Sequence, residues 1–189
     1  MPEQKAVEYL MAYDPQFSED AEAFVEEIGS NAVVNKVNKL SDLFEIPKKY
    51  AMVRYLELNF HGSPGMMWMP DKGVCVASYF GSLVQASNML CRNARVFFLG
   101  CSVAGGPNGD TTLDEIGKKM FTGTGGIVGA STVSTMGHGS FLKMSPFSVI
   151  DGLLKVRRYD ENGDRIGSEN IDMFGKVWHS TVGRDMARQ

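Results

Sequence analysis

Two short stretches carry the residues best suited to chemistry, "HGSPG" at 61–65 and "GCSVAGG" at 100–106. Each follows an apolar run, "MVRYLELNF" (52–60) and "ARVFFLG" (94–100), and each turns on glycine immediately beside a reactive side chain. A cysteine nucleophile needs a base that draws off its proton and donors that receive the developing oxyanion. His61 supplies an imidazole and Cys101 a thiol. A cationic His61 alongside would stabilise the thiolate by charge pairing. Gly62 lets the chain turn and expose its N–H, and Gly100 permits close packing just ahead of the thiol.

Other stretches support less. "GCSVAGG" also stands between a strand and a helix, as a phosphate-binding loop does, but Gly106 occupies the lysine position and no Ser or Thr follows. "GTGGIVG" (123–129) has Val128 where a dinucleotide fingerprint needs glycine, and it leads into a strand. "DENGD" (160–164) has calcium-loop spacing at Asp160, Asn162 and Asp164, yet Arg165 replaces the required glycine and Ile171 the closing glutamate. A hairpin turn explains it better. His138 and His179 have no neighbours at metal-ligand spacing, and no metal site or cofactor is expected. Ser63, Ser102 and Ser131 lack the G-x-S-x-G elbow of a hydrolase nucleophile. Cys75 and Cys91 sit in a hairpin strand and a helix, with no comparable turn. Three cysteines without a CxxC form neither a disulfide framework nor a zinc site.

The elements that must position His61 and Cys101 follow from periodicity. A first strand is expected within 6–14, a helix over 18–29 opened by Ser18 and stopped by Gly29, and a strand over 32–38. Residues 39–50 read as a helix interrupted at Pro47. The "PDKG" turn (70–73) joins a hairpin of "GMMWM" and "GVCVASYF". Further helices are expected over 82–93 and 111–121, a strand over 125–132, and a C-terminal hairpin around Asn162–Gly163. Strands alternating with helices give an α/β fold with a mainly parallel sheet and peripheral β-hairpins. Functional crevices of such sheets lie at the strands' carboxyl ends, where His61 and Cys101 both fall.

Composition sets the outer bounds. The 189 residues suffice for one domain over 1–189, with a core at about 5–150 and a hairpin and tail at 151–189. A net charge of −3 offers no basic footprint, so nucleic acid is not an expected partner. No apolar run is long enough to span a bilayer, and the polar start "MPEQKAVEYL" lacks the apolar core of a secretory signal. The expectation is a cytoplasmic chain, or one exported without a classical signal peptide.

Taken in order, "HGSPG", "GCSVAGG" and "GASTVSTMG" (129–137) resemble the pattern of caspase-like cysteine peptidases of clan CD. The closer likeness is to a bacterial caspase-like domain family of uncharacterised function. The resemblance covers about residues 5–150, lacks the glutamine-alanine-cysteine signature of true caspases, and spaces His and Cys by about forty rather than fifty residues. It implies a three-layer α/β/α sandwich and a soluble thiol protease, a hydrolase acting on a polypeptide substrate. Cys101 would be the nucleophile, His61 the acid/base, and the backbone N–H groups of Gly62 and Cys101 the oxyanion hole. Ser131 and Thr132 would lie near the substrate groove. A caspase-fold binding or regulatory module without turnover is the alternative, and a nucleotide-binding domain using the 100–106 loop a third.

Overall fold

The structure is a computed structural model that describes residues 3–99, 102–132, 154–171 and 177–182, with backbone alone at 171 and 177–182. In chain order the strands are β1 (Lys5–Ala6), β2 (Tyr9–Tyr13), β3 (Ala32–Lys36), β4 (Tyr50–Ala51), β5 (Val53–Asn59), β6 (His61–Ser63), β7 (Met66–Trp68), β8 (Val74–Val76), β9 (Leu90–Phe98), β10 (Gly126–Ser131), β11 (Leu154–Tyr159), β12 (Arg165–Ile171) and β13 (Val177–Val182). The helices are α1 (Ser18–Ile28), α2 (Leu40–Lys49), α3 (Ala77–Ala86) and α4 (Gly109–Phe121).

Eight strands form the main sheet in the order β13-β12-β11-β10-β9-β5-β2-β3. From β3 to β10 the neighbours run parallel, while β11, β12 and β13 add on antiparallel. The fold is α/β with a largely parallel central sheet, as the alternation of strands and helices implies.

The pleat sorts the apolar residues into two clusters. Leu56, Leu58 and Phe60 alternate along β5 and its exit, and pack with Leu43 and Ile46 of α2, Phe80 and Val84 of α3, and Leu113 and Ile116 of α4. On the other face, Met11, Tyr55 and Phe97 meet Ala21 and Phe24 of α1. Each fully buried Leu, Ile, Val, Phe or Met side chain among these contributes roughly 1.5–3 kcal/mol. Glu57 is buried on the α1 face as well, where Tyr55 donates its hydroxyl hydrogen to Oε2 at 2.9 Å.

Three expectations need correction. The helix expected over 82–93 is α3, Ala77–Ala86, and Leu90–Asn93 already belong to β9. Ala77, Phe80, Gly81 and Val84 are the buried helical stripe, and Asn88 turns left-handed at φ 53 to end it. Consequently the "GVCVASYF" strand stops at Val76, and Cys91 lies in a strand rather than a helix. Pro47 does not interrupt α2, because only two helical residues follow it and its carbonyl accepts a hydrogen bond from Gln4 Nε2 at 2.8 Å. Ser18 is the first residue of α1 rather than its cap. The chain enters α1 through a 3-10 turn at Pro15–Phe17, which Asp14 caps by accepting the Gln16 N–H at 2.9 Å.

At the antiparallel end, Arg157 of β11 is buried and donates to the Glu169 carbonyl and Asn170 Oδ1 of β12, at 2.9 and 3.1 Å, and to Asp110 of α4. Burial alone would raise the Asp110 carboxyl. The Arg157 guanidinium, by hydrogen bond and charge, together with Lys155 outweighs that and holds it below its usual range.

Candidate active site

β5 and β9 lie side by side and parallel, with Leu58 in register with Phe98, and the ladder is extended by the Leu99 N–H donating to the Leu58 carbonyl at 2.8 Å. Their carboxyl ends therefore share one rim. His61 leaves that rim from β5. Gly100 and Cys101, which continue from β9, lie outside the described residues.

The flanking residues are placed, and they bring the three motifs together through backbone. The Gly65 N–H donates to the Val103 carbonyl at 2.9 Å, and the Ala104 N–H to the Ser131 carbonyl at 2.9 Å. "HGSPG" is thus tied to the turn after Cys101, and that turn to the end of β10. Gly65 can serve because Ser63–Met66 is a tight turn with Pro64 first, and its left-handed φ of 74 suits glycine. Its own carbonyl accepts from the Ala77 N–H at 2.8 Å, pinning the same turn to the start of α3. Ser102 holds a left-handed φ of 59 directly after Cys101. Such strain on a non-glycine residue, of order 1–3 kcal/mol, persists only where the surroundings enforce it. Val103 and Ala104 provide that enforcement by being fully buried.

His61 is half-buried and held from two sides. Its Nε2 lies 3.1 Å from Gln16 Oε1, and its ring meets Phe17 at a centroid separation of 5.0 Å, tilted by 52°. With Gln16 Oε1 accepting, Nε2 carries a proton and Nδ1 is left to exchange one with a reacting group. Gln16 and Phe17 arrive because β2 is the other parallel neighbour of β5. The Asp14 N–H donates to the Asn59 carbonyl at 2.9 Å, and Asn59 Nδ2 donates to Asp20 Oδ2 of α1 at 2.7 Å.

Between β2 and β5 the strand order reverses, since β3 lies on one side of β2 and β5 on the other. A cleft of about 380 Å³ opens there, lined by Asp14, Gln16, His61, Trp68 and Val74, of which His61, Trp68 and Val74 stand opposite one another across the β6-β7-β8 sheet. Position at a reversal of strand order, beyond the carboxyl ends, is where open α/β sheets bind ligands.

Gly62 stands opposite Met67 in the β6–β7 ladder. Ser131 is fully buried at the end of β10 and Thr132 is half-buried next to it, so of the two only Thr132 has an accessible side chain. His138 lies outside the described residues, and His179 is described by backbone alone, opposite Asn170 in β13. Asp14, Gln16 and Trp68 had no place among the sequence candidates. The strand signal over 6–14 ended at Asp14, but nothing in it said that this end would stand beside His61.

Among the described residues, no group of three or more His, Cys, Asp or Glu side chains could hold a metal ion, and no helix is long and apolar enough to cross a membrane. Cys75 is buried in β8, and burial pushes its thiol from 9.0 up to about 11. At pH 8 its thiolate fraction is about a hundredfold below that of an ordinary thiol. Alkylation of the native chain, read by peptide mass, should therefore modify Cys75 far more slowly than half-buried Cys91. Between pH 9 and about 11 the unfolded chain releases this proton while the folded chain keeps it. Stability from this group is whole below that window and falls as pH rises through it.

No protein-family model matches the chain, and no curated protein matches it.

Proposed function

We propose that the chain is a caspase-like cysteine endopeptidase whose own chain can also be a substrate, with Cys101 as nucleophile and His61 as acid/base. The supporting observation is the convergence of three motifs far apart in sequence. β5 and β9 are parallel neighbours, and two backbone hydrogen bonds, Gly65 to Val103 and Ala104 to Ser131, tie the turns beyond them together. The antiparallel strands that follow five parallel ones suit a caspase-like sheet, with helices packed on both faces.

In this reading Cys101 attacks the scissile carbonyl as thiolate, forming the C–S bond and a tetrahedral oxyanion. Backbone N–H groups of Gly62 and Cys101 receive that charge. His61 delivers its proton to the leaving amine as the C–N bond breaks. Water then attacks the thioester, His61 takes its proton, and the carboxylic acid leaves with the thiol restored. Gln16 keeps the imidazole in one orientation through both steps.

A peptide carrying an electrophilic ketone tests the assignment. The expected result is a single adduct on the native chain that maps to Cys101 and is lost in Cys101→Ala. An adduct that survives Cys101→Ala and is lost in Cys91→Ala overturns it. Absence of any adduct and of any peptide cleavage would instead favour a caspase-fold binding or regulatory module without turnover.

A further inference from the structure

His61 shares one face of the small β6-β7-β8 sheet with the residues opposite it. The register pairs His61 with Trp68 and Trp68 with Val74 in one row, and Ser63 with Met66 and Met66 with Val76 in the next. The residues between these rows turn the other way, and Met67 and Cys75 are buried in the core. Pleating therefore gathers His61, Met66, Trp68, Val74 and Val76 on the outer face.

That face departs from the usual pattern of a sheet packed on one side, whose solvent face is polar. Trp68, Val74 and Val76 are 48%, 51% and 44% exposed. They are three of the seven large apolar side chains exposed among the described residues, and they adjoin one another. Cross-strand pairing supports the hairpin, but threonine at the valine positions would do so without leaving apolar surface in water. Apolar residues scattered over a surface need no explanation, whereas a contiguous patch marks a place of contact.

The place of the patch points to what covers it. In the proposed reaction His61 hands its proton to the leaving amine, so the residue carrying that amine comes to rest beside the imidazole. Its side chain then falls along the row from His61 to Trp68 and Val74. Asp14 and Lys72 border the same cleft with opposite charges and together favour neither sign of ligand.

We infer that the Trp68, Val74 and Val76 face receives an apolar side chain, aromatic or large aliphatic, from the residue on the amine side of the cleaved bond. The inference rests on the peptidase reading for the cleaved bond, and on the sheet face alone for the apolar preference.

Phenylalaninamide and glycinamide carry the same charged amine and differ only in the benzyl group, so comparing them cancels the charges of Asp14 and Lys72. Each is titrated into the full chain and followed by NMR. Phenylalaninamide should give saturable shifts at the Trp68 indole and the Val74 and Val76 methyls, and should bind about tenfold more tightly than glycinamide. Trp68→Ala should remove most of that margin, as should Val74→Thr, which keeps a β-branched strand residue. Equal binding of the two amides, or a margin indifferent to both variants, overturns the inference. Shifts at the same side chains that grow with chain concentration without any probe mark a second copy as the occupant, and overturn it too.

Cleavage separates the two layers. Peptides that differ only in Phe or Ser after the cut should differ about tenfold in kcat/KM in the parent chain, and far less in Trp68→Ala. The methyl ester of the same acyl peptide has no side chain in its leaving group, so Trp68→Ala should hydrolyse it as the parent does. An equal loss on ester and peptide would make Trp68 a support for His61 and overturn the inference. Cys101-dependent cleavage blind to the residue after the cut sinks the inference while the peptidase reading stands. Saturable, Trp68-dependent phenylalaninamide binding with no Cys101-dependent cleavage upholds the apolar site and sinks the peptidase reading.

Discussion

His61→Ala should lower kcat/KM for a cleaved peptide by about 10²–10⁴-fold, the usual contribution of a positioned acid/base. Two losses combine. In the proposed mechanism the leaving amine would no longer receive a proton and the Cys101 thiolate would lose its charge partner, so alkylation of Cys101 by a small reagent should slow too. His61 is half-buried and belongs to the short β6, so its removal should leave the thermal midpoint nearly unchanged and the defect can be read as chemical. Gln16→Ala should act in the same direction but within about tenfold, because it frees the ring to reorient without removing it. Steady-state kinetics on the two variants check both. Unchanged turnover in His61→Ala would remove the histidine from the mechanism.

The second large effect is structural. A Cβ at Gly105 would stand 2.8 Å from the Thr132 carbonyl oxygen, 3.0 Å from that of Ser102 and 3.1 Å from Ser102 Cβ. Two of those three atoms are backbone and cannot rotate aside. Gly105→Ala must therefore displace either the turn after Cys101, where the Gly105 N–H donates to the Ser102 carbonyl at 2.8 Å, or the exit of β10. Overpacking of this kind costs about 1–3 kcal/mol, which lowers the midpoint by roughly 2–4 °C per kcal/mol in a chain of this size. Labelling of Cys101 should fall as well. Gly123→Ala is the matched control. It meets no atom within 4 Å, so only its left-handed φ of 96 is strained, and Cys101 labelling should stay as in the parent chain.

Much of the frame was legible because it rests on local patterns. The run around 9–13, the acidic start and glycine stop of α1, and the Asn162–Gly163 turn each encode their element within a few residues. Gly163 has a left-handed φ of 79, and Asp160 accepts the N–H groups of Asn162 and Asp164 at 2.9 Å each, so this turn is written entirely in its own side chains. α3 was misplaced for an equally local reason. Leu83 and Leu90 share helical spacing with Ala86, but the buried stripe begins at Ala77, inside what alternation reads as strand. The cleft escaped notice because it depends on strand order. Whether β2 stands next to β5 is decided by which face each crossover helix takes, and no window of sequence around Asp14 carries that information.

The ties among Gly65, Val103, Ala104 and Ser131 are made by peptide groups alone. They bear on how freely this region can change. Any residue able to adopt the same dihedrals supplies the same N–H and carbonyl, so these bonds themselves do not depend on side-chain identity, although the left-handed turn at Gly65 and the crowded backbone at Gly105 still require glycine. Conservative substitutions that keep the fully buried side-chain volume at Val103 and Ala104 can leave the turns bolted in place. The exposed lining of the cleft, Trp68 and Val74, and this backbone frame can then diverge at different rates within one small molecule.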